Sequence, residues 1–287
     1  LNQGVEFKYY LIGISASTEK TVINKLPLQF IFLILISFSQ ISFADKCLDD
    51  KLTQVKGVDN CLAITTFRDP LAPTPSALVI FIHGDQSDLK AVTSMPRLAK
   101  NIQLPSDVIK VFILRPGYFD VEGNESTGYN YGRRDSYTSG NVDEITAAIQ
   151  SLQKYYGLKN TVLVGHSGGA AFAGVMIGRT PGIANGALLL SCPCDISRWR
   201  SDHQAQPWGS LSPINFYKTI PVTTKVIAIT GDSDNNTREH LAKEYVAALT
   251  SRGVNAQYIS AINTAHNDTV NVELVTDPIK TLLKTND

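Results

Sequence analysis

Three short stretches carry residue types that can move an acyl group. Gly165, His166, Ser167, Gly168 and Gly169 read GHSGG, a GxSxG pattern whose central serine can act as a nucleophile. Asp232 and Asp234 lie in GDSD at 231–234, and His266 follows in AHND at 265–268. A hydroxyl attacks poorly until a base takes its proton, and an imidazole serves as that base when a carboxylate orients it and balances its acquired charge. Serine, acid and histidine occur here in that chain order. Asp234 is the preferred acid and Asp232 the alternative, since either can instead cap its loop. Two neighbouring acids without further ordered ligands do not specify a calcium site, so no metal is expected.

A serine in this role needs a strand that ends sharply and a helix that starts at once. Residues 161–164 are a short apolar run rich in β-branched side chains, and the small residues after Ser167 start a helix without obstruction. The glycines permit close approach of strand and helix, which turns the Gly168 amide toward a developing oxyanion. The strongly apolar run 78–82 predicts a strand that delivers His83 and Gly84, with the amide of Asp85 or Gln86 as a second donor. Further strands are expected at 61–67, 108–114, 186–190, 226–230 and, last, 256–262, with helices at 94–100, 142–156 and 238–252. Gly157 is placed to end the second of these helices.

Candidate substrate contacts surround this centre. His83 and Tyr118 follow predicted strands, Arg133 and Arg134 lie in a polar loop at 123–137, and Trp199 and Trp208 lie in the long connector 191–224. The connector reads as a lid or specificity insertion, or else as a solvent-facing excursion with its own small core.

Together the motifs HGDQ at 83–86, GHSGG, GDSD and AHND resemble those of serine hydrolases of the α/β-hydrolase superfamily, in an esterase, lipase or prolyl-oligopeptidase-like branch. The resemblance covers most of 61–287. It implies an α/β fold with a mostly parallel central sheet flanked by helices. It also implies a triad of Ser167, Asp234 and His266, with the Gly168 and Asp85 amides at the oxyanion. The expected activity is hydrolysis of a carboxylic ester without a cofactor; a serine peptidase or amidase acting on a short peptide, and a noncatalytic ligand-binding homologue, are the alternatives.

Composition narrows the partners. Twenty-six basic and twenty-six acidic residues balance to a net charge of zero with no long basic tract, which argues against nucleic acid and favours a small molecule. Lys20 and Lys25 precede an apolar run at 30–36, and Ser42, Phe43 and Ala44 form a small-x-small cleavage signal. Cleavage after Ala44 would leave 287 − 44 = 243 residues as one catalytic domain, 45–287, secreted or periplasmic and without a stable transmembrane segment. Export permits disulfides: Cys47 and Cys61 can close a loop, whereas Cys192 and Cys194, one residue apart, are either buried thiols or locally linked.

Overall fold

Alternation of apolar side chains along consecutive strands builds the centre of the molecule. The computed structural model describes residues 47–284 apart from 73, 87–89 and 134–135. The expected leader at 1–44 and the expected contact Arg134 therefore lie outside the described residues. Among the described residues one sheet has eight strands, ordered β1-β2-β4-β3-β5-β6-β7-β8. These are β1 (Gln54–Lys56), β2 (Cys61–Phe67), β3 (Ala77–Ile82), β4 (Val108–Ile113), β5 (Thr161–His166), β6 (Gly186–Leu190), β7 (Lys225–Gly231) and β8 (Ala256–Ala261). β2 pairs antiparallel with both β1 and β4, and β3 to β8 run parallel to one another.

Period-two patterning splits each inner strand between two cores. Leu78, Ile80 and Ile82 of β3, Leu163 of β5 and Ala187 and Leu189 of β6 face one side, with the buried faces of α2 (Ser139–Tyr156), α3 (Gly168–Arg179) and α5 (Glu239–Thr250). Val79 and Phe81, Val162 and Val164, and Leu188 and Leu190 face the other, with α1 (Ser94–Asn101) and α6 (Val272–Leu283). Each fully buried Ile or Leu contributes about 1.5–3 kcal/mol relative to exposure, so this double layer holds the carboxyl ends of the parallel strands in fixed register.

Three elements, β1, α4 (Ile196–Asp202) and α6, were not expected from the pattern. The three-residue β1 is anchored through its turn, where the buried Glu144 carboxylate of α2 accepts the Val58, Asp59 and Asn60 amides at 2.8, 3.0 and 3.1 Å. The helix α6 follows the last strand and packs Val275, Ile279 and Leu282 onto the second core. Gly157 ends α2 in the left-handed conformation (φ 68°), as its position suggested. The connector 191–224 carries the short helix α4 and a 3-10 turn (Pro213–Thr219). Trp199, Trp208, Ile214 and Phe216 pack from it against the first core.

Cys47 pairs with Cys61, tying the start of the described chain to β2. Cys192 and Cys194 are both buried and joined to each other, despite the single residue between them.

Candidate active site

The carboxyl end of β5 turns into α3 through Ser167, whose φ of 53° and ψ of −119° are unusual for a residue with a side chain. Such a conformation costs on the order of 1–3 kcal/mol and persists only where the surroundings over-determine it. They do so here. The Ser167 amide donates to Leu190 O on β6 at 2.8 Å, while Ala170 and Ala171 donate back to Ser167 O. A Cβ on Gly169 would lie 2.2 Å from Ile82 O, and one on Gly165 would lie 2.3 Å from Gly169 O. The glycines of GHSGG are thus spacers that let α3 start directly against β3 and β5.

His266 and Asp234 meet this serine. His266 Nε2 lies 3.1 Å from Ser167 Oγ, and its Nδ1 lies 2.9 Å from Asp234 Oδ2. The two contacts fix the tautomer: Nδ1 carries the proton given to the carboxylate, and Nε2 presents a lone pair to the hydroxyl. Asp234 sits just past β7 with a fully buried side chain, while that of His266 is 17% exposed. Asp234 Oδ1 accepts the Asn236 and Thr237 amides at 2.9 and 2.8 Å, and Thr237 Oγ1 lies 2.8 Å from Oδ2. Burial pushes the Asp234 carboxyl up, but the hydrogen bond and charge of His266 and the bonds from Thr237 outweigh it, leaving the group below its ordinary value. Asp232 is exposed and takes the Ser233 hydroxyl at 3.0 Å, so the histidine's carboxylate partner is Asp234.

The His266 loop is tethered through its backbone. His266 O is 3.0 Å from each of His166 Nε2, Ser191 Oγ and Thr269 Oγ1. His166 is buried beside the His266 ring at a centroid distance of 5.0 Å. Burial first, and the neighbouring imidazole second, push its pKa down to about 4, so it is a neutral donor at neutral pH.

On the opposite flank, the loop after β3 lies against Ser167. A Cβ on Gly84 would be 3.0 Å from Ser167 Cβ, which brings the Gly84–Asp85 backbone beside the serine. The Asp85 carboxylate is held from below by Arg115 Nη2 at 2.8 Å, by Tyr118 Oη at 3.3 Å and by a short bond from Tyr137 Oη. Arg115 is buried beneath Phe172, Tyr118 and Tyr137, with its guanidinium 4.5 Å from the Phe172 ring centre. Burial disfavours the Arg115 charge, yet Tyr118, Asp85 and Tyr137 outweigh that effect and its pKa is raised. Burial, and then the Asp85 charge, push the Tyr137 phenol well up, so it remains a donor.

The expected substrate contacts divide. His83 and Tyr118 do not line the site: both are buried, with His83 Nδ1 donating to Gly84 O at 2.7 Å and its Nε2 accepting the Arg115 amide at 3.0 Å. They shape the loop from behind because β3 and β4 end side by side. Arg133 closes a 3-10 turn, Tyr131–Arg133. Trp199 and Trp208 are half-buried and in edge-to-face contact at 5.3 Å, and Trp199 Nε1 donates to Asn236 O at 3.0 Å and lies 3.3 Å from Asn236 Oδ1. Sequence reading missed Arg115, Tyr137, His166, Asn236 and Thr237. Of these, only Thr237 carried a local signal, as a hydroxyl three residues after an acid at a helix approach.

A cleft of about 890 Å³ lined by Leu52, Thr66, Pro70, Tyr155 and Tyr156 contains none of Ser167, Asp234 and His266. At the strand ends, by contrast, a hydroxyl, an imidazole and a carboxylate converge in Ser167, His266 and Asp234. Among the described residues, no group of three or more His, Cys, Asp or Glu side chains is arranged to hold a metal ion, and no helix is long and apolar enough to cross a membrane.

No protein-family model and no curated protein matches the chain. Solved structures do. The Pyrococcus furiosus esterase Pf2001 superposes with a TM-score of 0.63 at 13% identity, over 80% of this chain and 90% of that one. Est1E from Butyrivibrio proteoclasticus, solved with ferulic acid bound, gives a TM-score of 0.58 at 14% identity, over 80% and 97%. The fold is that of the α/β-hydrolases. A Pyrococcus horikoshii acylaminoacyl peptidase shares this α/β-hydrolase fold with a TM-score of 0.60 at 13% identity, over 82% of this chain but 41% of the peptidase. At these identities the similarity speaks for the fold alone, and the chemistry rests on the side chains.

Proposed function

We propose that this chain is a serine hydrolase that cleaves carboxylic esters through an acyl-enzyme on Ser167. The observation that carries the reading is the unbroken line from Ser167 Oγ through His266 to the buried Asp234 carboxylate, at 3.1 and 2.9 Å. Ser167 Oγ attacks the carbonyl carbon while His266 Nε2 takes its proton, and Asp234 stabilises the imidazolium that forms. The carbonyl oxygen becomes an oxyanion facing the amides of Gly168 and Asp85. The Gly168 amide opens α3 and so has no partner four residues back in that helix. One well-aligned donor of this kind is worth about 2.7–4 kcal/mol in the transition state. Collapse expels the alcohol, which leaves with the proton from His266. A water activated by the same imidazole then releases the acid.

The substrate is a small ester. The two disulfides support a secreted or periplasmic location, since such bonds persist in oxidising compartments. The test is turnover of an ester series by the purified protein and its Ser167→Ala variant, with labelling of the serine by a fluorophosphonate. Ester turnover and labelling that both vanish in the variant support the reading; efficient peptide cleavage with negligible ester turnover rejects it.

A further inference from the structure

Asn236 occupies a position that the triad does not explain. Its Nδ2 lies 3.2 Å from His266 Nε2, the same nitrogen that lies 3.1 Å from Ser167 Oγ. Its backbone is pinned by the bond from its amide to Asp234 Oδ1. The orientation of its side-chain amide is set from outside. The Trp199 indole N–H can only donate, and it is shared between Asn236 O at 3.0 Å and Asn236 Oδ1 at 3.3 Å. The amide oxygen therefore faces Trp199 and the NH2 faces the catalytic imidazole.

We infer that Asn236, locked by Trp199, is a specificity-determining residue that admits ester leaving groups and rejects amide ones. The inference rests on the serine-hydrolase reading above. In collapse of the tetrahedral intermediate the leaving atom takes back the pair of electrons from its bond to carbon and receives the proton from His266 Nε2. It must come within hydrogen-bonding distance of that nitrogen, from which Asn236 Nδ2 is itself 3.2 Å away. An ester oxygen arrives with lone pairs and no hydrogen, and can accept from Asn236 while it accepts from His266. An amide nitrogen spends its one lone pair on the His266 proton and turns its own N–H toward the Asn236 NH2. Donor then meets donor, and both lose a partner in a confined site. The acyl half of the substrate does not enter the argument, so the selection acts at the scissile bond for whichever acyl group the site accepts.

The test compares 4-nitrophenyl butyrate with the matching butyryl 4-nitroanilide, for the full protein and for Asn236→Leu and Trp199→Phe. Asn236→Leu keeps much of the volume and removes the donor; Trp199→Phe leaves Asn236 in place but frees its amide to turn its oxygen inward. The wild type is expected to favour the ester strongly. The ratio of ester to anilide kcat/KM should fall about tenfold or more in each variant. A wild type that cleaves the anilide as well as the ester, or a ratio unchanged in both variants while Ser167 still reacts with a fluorophosphonate, would overturn the inference alone. Loss of ester turnover and of Ser167 labelling in the wild type would overturn it together with the reading beneath it.

Discussion

His166 gives its Nε2 hydrogen to the backbone carbonyl of His266 at 3.0 Å, joining the Ser167 turn to the loop that carries His266. The side chain next to Ser167 thus sets the height of the His266 imidazole. Its folded pKa of about 4 lies below the ordinary histidine value, so the unfolded chain binds a proton there that the folded chain does not. Stability from this group is complete above about pH 6.5 and is lost as pH falls toward 4, by a total of about 3 kcal/mol. Urea midpoints between pH 4 and 7 should show this slope, and His166→Gln should flatten it.

Asp234 and Asp232 are separated by burial as well as by contact. Asp234→Asn should lower kcat by about 10⁴-fold, because the imidazole loses both its orienting acceptor and the charge that balances it. Asp232→Asn should leave kcat within a few-fold of the wild type. Steady-state kinetics with one ester distinguishes the two, and the reverse order would move the acid to Asp232.

The buried Arg115 balances a carboxylate that lies under the proposed oxyanion loop. Arg115→Met should destabilise the fold by about 3 kcal/mol in urea unfolding, since Asp85 is then left short of its main partner. Adding Asp85→Asn should recover part of that loss, because the stranded charge is gone. Tyr137→Phe should lower kcat about tenfold with little change in KM, as the loop loses a constraint that matters when charge develops. Equal losses in the single and double Arg115 variants would refute the coupling.

Close packing at the turn leaves no room for a methyl group. Gly169→Ala would set a Cβ against the Ile82 and His83 carbonyls at 2.2 and 2.5 Å, so thermal unfolding should fall by the equivalent of at least about 3 kcal/mol. Gly182→Ala, in an exposed turn where an added Cβ meets nothing within 4 Å, should cost only the strain of its positive φ of 86°.

Much of this architecture was legible from local pattern. Strands β2 and β6 fall where alternation and apolar runs placed them, and the inner strands differ by a residue or two at their ends. The missed pieces depend on distant partners. β1 is three residues long and held by Glu144 from the middle of α2. The helix α6 has apolar spacing at Val275, Ile279 and Leu282, but Pro278 interrupts it and masks the period. An arginine at a strand exit ordinarily reads as solvated; only the convergence of Asp85, Tyr118 and Tyr137 reveals Arg115 as buried. Asn236 is likewise one polar residue in an Asn-rich turn until the fold brings Trp199 and His266 to either side of it.

The most direct measurement is mass spectrometry of the protein quenched in acid during turnover of a slow ester. A peptide containing Ser167 that carries the mass of the acyl group, absent in Ser167→Ala and accumulating in His266→Ala only at a strongly reduced rate, is the expected result. Undiminished ester turnover by Ser167→Ala, or an acyl group found on another side chain, would contradict the assignment of Ser167 as the nucleophile.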